Sequence, residues 1–344
     1  MNLLEPWIFA RLAAGLVSTW LFLYAAFVGV RVLRHRSLES ATEGQLLLER
    51  QAELAATAAR IGGGVQLVAL LLSALAADRL SQSLKGAMCG FGVVHANAWG
   101  PWAMALSIVT ALAGAVFAGL LRFESQLTRP LFGTVAIASF PLALLASADL
   151  VATGSWLASL DFSVVASCCS TSLDDAGAGA LLRGASARGR LPIAITALVV
   201  VAATVALARS LHARRRPVAR AWLRVIGALG LLALPLGLAA VVLEVSPHVY
   251  EAPHHLCGYC LLRLDALALG YPLIGALLLG TSYAASAGLA SLVAPRATEV
   301  DAVLDPFARA ALGRSSVCFA LFLALAVAPV IRFTILAGGR SLFP

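Results

Sequence analysis

Eight apolar runs recur along this chain, near residues 8–33, 61–80, 101–121, 130–155, 191–210, 222–245, 264–293 and 315–337. Each is about the ~20 helical residues needed to cross a ~30 Å hydrocarbon layer. Backbone N–H and C=O groups in lipid must be satisfied within the segment, so these runs predict helices. Barrel strands would be shorter and would alternate polar with apolar residues. The expectation is an all-α polytopic membrane protein, a bundle of eight transmembrane helices in a single domain over 1–344, with no separate soluble domain. The runs also fix the solvent. At 60% hydrophobic and 12% charged residues, with a mean hydropathy of +0.91, there is too much apolar surface for a water-soluble globule. Two runs are irregular: the second contains Gly62-Gly63-Gly64, and the seventh contains Gly270-Tyr271-Pro272.

Lys and Arg are retained on the cytoplasmic side, so their distribution sets the orientation. Loops 31–60, 122–129, 209–224 and 295–314 hold 16 of the 25 basic residues. The strongest group is Arg214-Arg215-Arg216 with Arg209, Arg220 and Arg224. Both termini are therefore expected outside, which in a bacterial inner membrane is the periplasm, with Arg11, Arg332 and Arg340 counted among the outer charges. The basic excess reads as loop charge in a bilayer and not as a nucleic-acid site. The N-terminus has no basic n-region and no Ala-x-Ala-like cleavage site, so the first span is read as retained. Segments 37–60 and 297–312 have helical character, and they read as extensions of neighbouring spans or as docking surfaces for a cytoplasmic partner. Asp149, Glu244, Asp265 and Arg332 lie near outer ends of spans, where long or terminal charges snorkel.

With this topology five of the six cysteines fall on the outer face: Cys89, Cys168, Cys169, Cys257 and Cys260. Cys318 falls inside the last span and reads as packing. His95, His248, His254 and His255 are also outer. Cys257-Gly258-Tyr259-Cys260 has the spacing of a redox dithiol or of half a four-ligand metal site. His254 and His255 just before it add imidazoles, and thiolate with imidazole suits copper or zinc. A plain disulfide bracing the loop is the competing reading. The vicinal Cys168-Cys169 could bridge each other only through a strained ring, so they would share a soft metal, take separate partners, or simply fill space. Cys89-Gly90-Phe91-Gly92 mirrors Cys257-Gly258-Tyr259-Cys260 in the other half of the chain. This suggests a four-plus-four duplication over 1–190 and 191–344, whose axis along the membrane normal would bring the two turns together.

No Walker Gly-x-x-x-x-Gly-Lys, His-Glu-x-x-His or Gly-x-Ser-x-Gly motif occurs, and Leu261 follows Cys260 where covalent haem attachment needs His. The chain thus carries no signal for ATP hydrolysis, zinc proteolysis or c-type haem. Three readings follow. The first is a copper or zinc site built from Cys89, Cys168, Cys169, Cys257 and Cys260 with His254, His255 and His95, served by a periplasmic metal chaperone. The second is thiol–disulfide exchange between Cys257/Cys260 and Cys168/Cys169 and onward to a thioredoxin-like partner or a quinone. Cys257 would be its nucleophile if it sat at the N-terminus of span seven, where the helix dipole lowers a thiol pKa. The layout resembles that of membrane oxidases and reductases of the disulfide-forming type, which keep cysteine pairs at the periplasmic membrane face. The third is a non-catalytic subunit of a membrane complex, braced by disulfides.

Overall fold

The structure is a computed structural model. It describes residues 5–35, 43–127, 132–161, 187–214, 217–253, 255–295, 297–340 and 342. Among these, all regular elements are helical, and eight helices are long and apolar enough to cross a membrane. The long helices are α1 (Pro6–His35), α2 (Glu43–Ser81), α4 (Trp99–Glu124), α5 (Phe132–Ala158), α6 (Ala187–Ala213), α7 (Arg220–Ala240), α9 (Gly270–Val293) and α10 (Thr298–Leu336). Two short helices accompany them, α3 (Gly90–Val94) and α8 (Ser246–Tyr250). A π-helical turn, Val241–Val245, joins α7 to α8, so the sixth span is continuous over Arg220–Tyr250.

The chain divides into two compact units. One comprises residues 1–76, 96–161 and 293–304, the other 77–95, 162–292 and 305–344. In the first unit α1 and α4 both pack on α5. The glycine triplet does not interrupt α2. A Cβ at Gly63 would lie 3.1 Å from the carbonyl oxygen of Gly114 on α4, so the position needs glycine for two backbones to touch, the means by which membrane helices gain packing without a hydrophobic driving force. In the second unit α6 packs on α7, and Gly227 of α7 meets Gly288 of α9 in the same way, a Cβ at either lying 3.0 Å from the other's Cα.

The segments before spans two and eight are helical continuations, as one of the two sequence readings expects, making α2 and α10 each 39 residues long. The start of span seven changes. Helix α9 starts at Gly270, not at 264. Leu264–Ala266 form a 3₁₀ turn, and Leu267 and Ala268 after it take left-handed conformations (φ 55 and 51) that a helix cannot hold. Pro272 then falls in the first turn, where a missing N–H costs nothing.

Arg11 and Asp149 are not surface charges. Both are at most 1% exposed, and the Arg11 Nη2 donates to both Asp149 carboxylate oxygens at 3.0 and 2.8 Å. Gln66 donates to Asp149 at 2.7 Å, Ser107 also donates to it, and Arg11 Nε donates to Ser73. One ion pair therefore ties α1, α2, α4 and α5 together inside the apolar core of the first unit. These partners satisfy both carboxylate oxygens and two of the three guanidinium nitrogens, as a buried pair requires, while Arg11 Nη1 is buried without a hydrogen-bond partner. Glu244 is likewise buried beside His248 (3.6 Å), not snorkelling, whereas Asp265 and Arg332 are exposed and face Arg263 and Glu251 at 3.5 Å.

Candidate functional site

Within the second unit three of the sequence-selected cysteines meet. The Sγ atoms of Cys89, Cys257 and Cys260 lie within 4.8 Å of one another, with Cys89 and Cys257 3.5 Å apart. That is a non-bonded contact, well beyond the ~2.05 Å of a disulfide. The three residues are 2%, 1% and 8% exposed, so the sulfurs face one another and not solvent. Phe91, Tyr250 and Tyr259 close around them.

Local structure explains the convergence. Cys89 caps the N-terminus of α3 in an extended conformation (φ −158, ψ 178), and Cys260 opens a 3₁₀ turn, Cys260–Leu262. The loop between α8 and α9 is held by its own backbone. The Ser246 hydroxyl donates to the Cys257 carbonyl and the Tyr250 hydroxyl to the Cys260 carbonyl, both at 2.9 Å. Arg263 Nη1 donates to the Met88 carbonyl at 2.6 Å, binding this loop to the segment that carries Cys89. The two Cys-Gly-aromatic turns pack on each other: Phe91 and Tyr259 meet edge to face with centroids 6.2 Å apart. A Cβ at Gly90 would lie 3.3 Å from the Tyr259 ring, so the small residue after Cys89 leaves space for the opposite turn.

Two histidines border the cluster in different states. His255 stacks on Tyr250 (centroids 4.1 Å) and has its Nε2 buried without a hydrogen-bond partner. His95 stacks on Phe91 (3.9 Å), while its Nδ1 lies 3.0 Å from the Phe91 carbonyl and its outer face is exposed. Burial lowers the pKa of both, opposed at His255 by Cys89 and at His95 by the Phe91 hydrogen bond and Cys89. Both rings are therefore neutral near pH 7, the form that donates a lone pair. Burial, with the neighbouring Cys257 and Cys89, pushes the Tyr259 phenol well above its usual pKa, leaving it an uncharged wall of the site.

Cys168, Cys169 and His254 lie outside the described residues. Cys318 is partly buried on α10, as expected of a packing residue. The helix-dipole expectation for Cys257 does not hold, because α9 begins at Gly270 and two 3₁₀ turns intervene. Sequence reasoning missed Ser246, Tyr250 and Arg263, whose hydrogen bonds in this site go to backbone carbonyls and leave no pattern in residue type.

The spacing of the three sulfurs is compatible with a thiolate metal site. Ligands about 2.3 Å from a tetrahedral zinc ion stand about 3.8 Å apart, within the spacing of these sulfurs. Three thiols within 4.8 Å of one another are also one more than a bracing disulfide uses. The chain matches no protein-family model, no curated protein and no solved structure.

Proposed function

We propose that this is a membrane protein that binds and handles a thiophilic transition metal, copper or zinc, at Cys89, Cys257 and Cys260, with His255 as the fourth donor. The observation that carries this is the mutual approach of three buried sulfurs within 4.8 Å; His255, two residues before Cys257, adds an imidazole nitrogen that is buried and unpartnered. Soft thiolates with one imidazole suit zinc or copper over hard cations. Placing the site on the periplasmic face of a bacterial inner membrane rests on the arginine distribution, and His95, Cys168, Cys169 and His254 remain candidate ligands for entry or transfer. A periplasmic metal chaperone is the partner this reading requires.

The test is metal analysis of the full chain purified under reducing conditions. We expect about one copper or zinc ion per chain, lost in Cys89→Ser and Cys257→Ser and kept in Cys318→Ser. A chain that takes up neither metal, or keeps it after Cys257→Ser, sinks the proposal. The 3.5 Å approach of Cys89 to Cys257 favours thiol–disulfide exchange as a second reading, through a different pair from the Cys257/Cys260 dithiol that the spacing suggested. A mixed disulfide with a thioredoxin-like protein, trapped in Cys89→Ser and metal-independent, would favour that reading.

A further inference from the structure

The second unit carries a cavity that none of Cys89, Cys257 and Cys260 lines. It measures about 480 Å³, within the roughly 300–1,000 Å³ typical of small-ligand sites, and its wall includes Arg209, Leu279, Tyr283, Arg314, Val317 and Cys318. Its lining combines two arginines with apolar side chains.

Arg209 is the first charge after the uninterrupted apolar run of α6, and Arg314 is the last charge before that of α10. Apolar runs of that kind end where hydrocarbon meets headgroups, so both guanidiniums belong at the headgroup level, with Leu279, Val317 and Cys318 offering apolar surface beside them. Both arginines are exposed. Neither has an acidic partner among the described residues, unlike Arg309 one turn away, whose Nε lies 2.8 Å from Asp305. Arg314 is held over the Tyr283 ring, 5.8 Å from its centroid, a cation–π contact that fixes the guanidinium without neutralising it. Two uncompensated cations around one cavity repel each other, and a phosphate between them removes that cost. Guanidinium is the side chain best shaped to grip phosphate.

We propose that this cavity binds the phosphate headgroup of an anionic phospholipid, with Arg209 and Arg314 on the phosphate and an acyl chain along Leu279, Val317 and Cys318. The shared chemistry with free phosphate is the anion; the apolar wall is what selects the lipid.

The experiment reconstitutes the full chain into phosphatidylcholine nanodiscs with and without phosphatidylglycerol, and counts retained lipids by native mass spectrometry. Wild type is expected to retain phosphatidylglycerol selectively. Arg209→Gln/Arg314→Gln should bind it roughly thirtyfold more weakly, about 2 kcal/mol for two basic residues at the surface. Arg209→Gln alone changes an exposed side chain and gives an intermediate loss should the double variant fold poorly. Arg34→Gln, an exposed arginine at the end of α1, should change nothing. Equal retention by wild type and both variants, or an equal loss in Arg34→Gln, overturns the proposal. So does inorganic phosphate alone raising the melting temperature as much as phosphatidylglycerol vesicles, which would make the site one for a free anion.

Discussion

Cys89, Cys257 and Cys260 are buried within 4.8 Å of one another, and His255, two residues before Cys257, is the residue whose protonation reports on that environment. Its pKa is lowered from 6.5 by burial, so the unfolded chain takes up its proton at a higher pH than the folded one. Stability from this group is complete above about pH 6.5 and is lost as the pH falls through the lower folded value. His95 shifts in the same direction. The metal-free, reduced chain in detergent should therefore have a lower melting temperature at pH 5 than at pH 7.5. His255→Gln should lose less over that interval than wild type. Identical pH slopes for the two proteins would show that the ring is not desolvated in the fold. Of this site, the Cys-Gly-aromatic resemblance between the turns at Cys89 and Cys257 was legible in the sequence, because it is a local pattern. The distinction between His95 and His255 was not, since it depends on which ring nitrogen finds a carbonyl.

At the scale of elements, the eight spans were readable because lipid imposes a length and a composition on each. Their boundaries shifted where backbone conformation decided, as at Leu267 and Ala268 before α9. The least legible feature was the Arg11–Asp149 pair. Single charges near helix ends look alike whether they snorkel or pair, and these partners lie 138 positions apart in the chain. Their burial makes a sharp prediction. Asp149→Asn leaves Arg11 charged in an apolar core and should destabilise the protein by about 3–5 kcal/mol, read as a lowered thermal or denaturant midpoint in detergent. The double replacement Arg11→Met/Asp149→Leu, which removes both charges, should cost less than Asp149→Asn alone. A double variant less stable than the single one would mean that the network does more than neutralise a buried charge. The glycine contacts are a separate term: Gly227→Leu would drive a side chain into the backbone of Gly288, 3.0 Å from the Cβ position, for which repacking offers no relief.

For the whole molecule, eight crossings would put both termini on one side of the bilayer and would send the loops after α2 and α8 to that same side. The Sγ contact between Cys89 and Cys257 agrees with this, since residues of those two loops meet. Moving Arg11 from the outer loops into the core removes one charge from the side that was already poorer in arginine, which strengthens the expectation that 209–224 faces the cytoplasm. A fluorescent protein that matures only in the cytoplasm, inserted after Pro217, should therefore be bright, and the same protein fused after Pro344 should be dark. Alkaline phosphatase, active only in the periplasm, should give the opposite pair of results. If both reporters place Pro217 and Pro344 on one side, a span has been miscounted. If they are exchanged, the cysteine cluster faces the reducing cytoplasm, where thiolates stay available to zinc and bridging by disulfides is not maintained. The reporter pair thus fixes the compartment from which a metal would reach Cys89, Cys257 and Cys260.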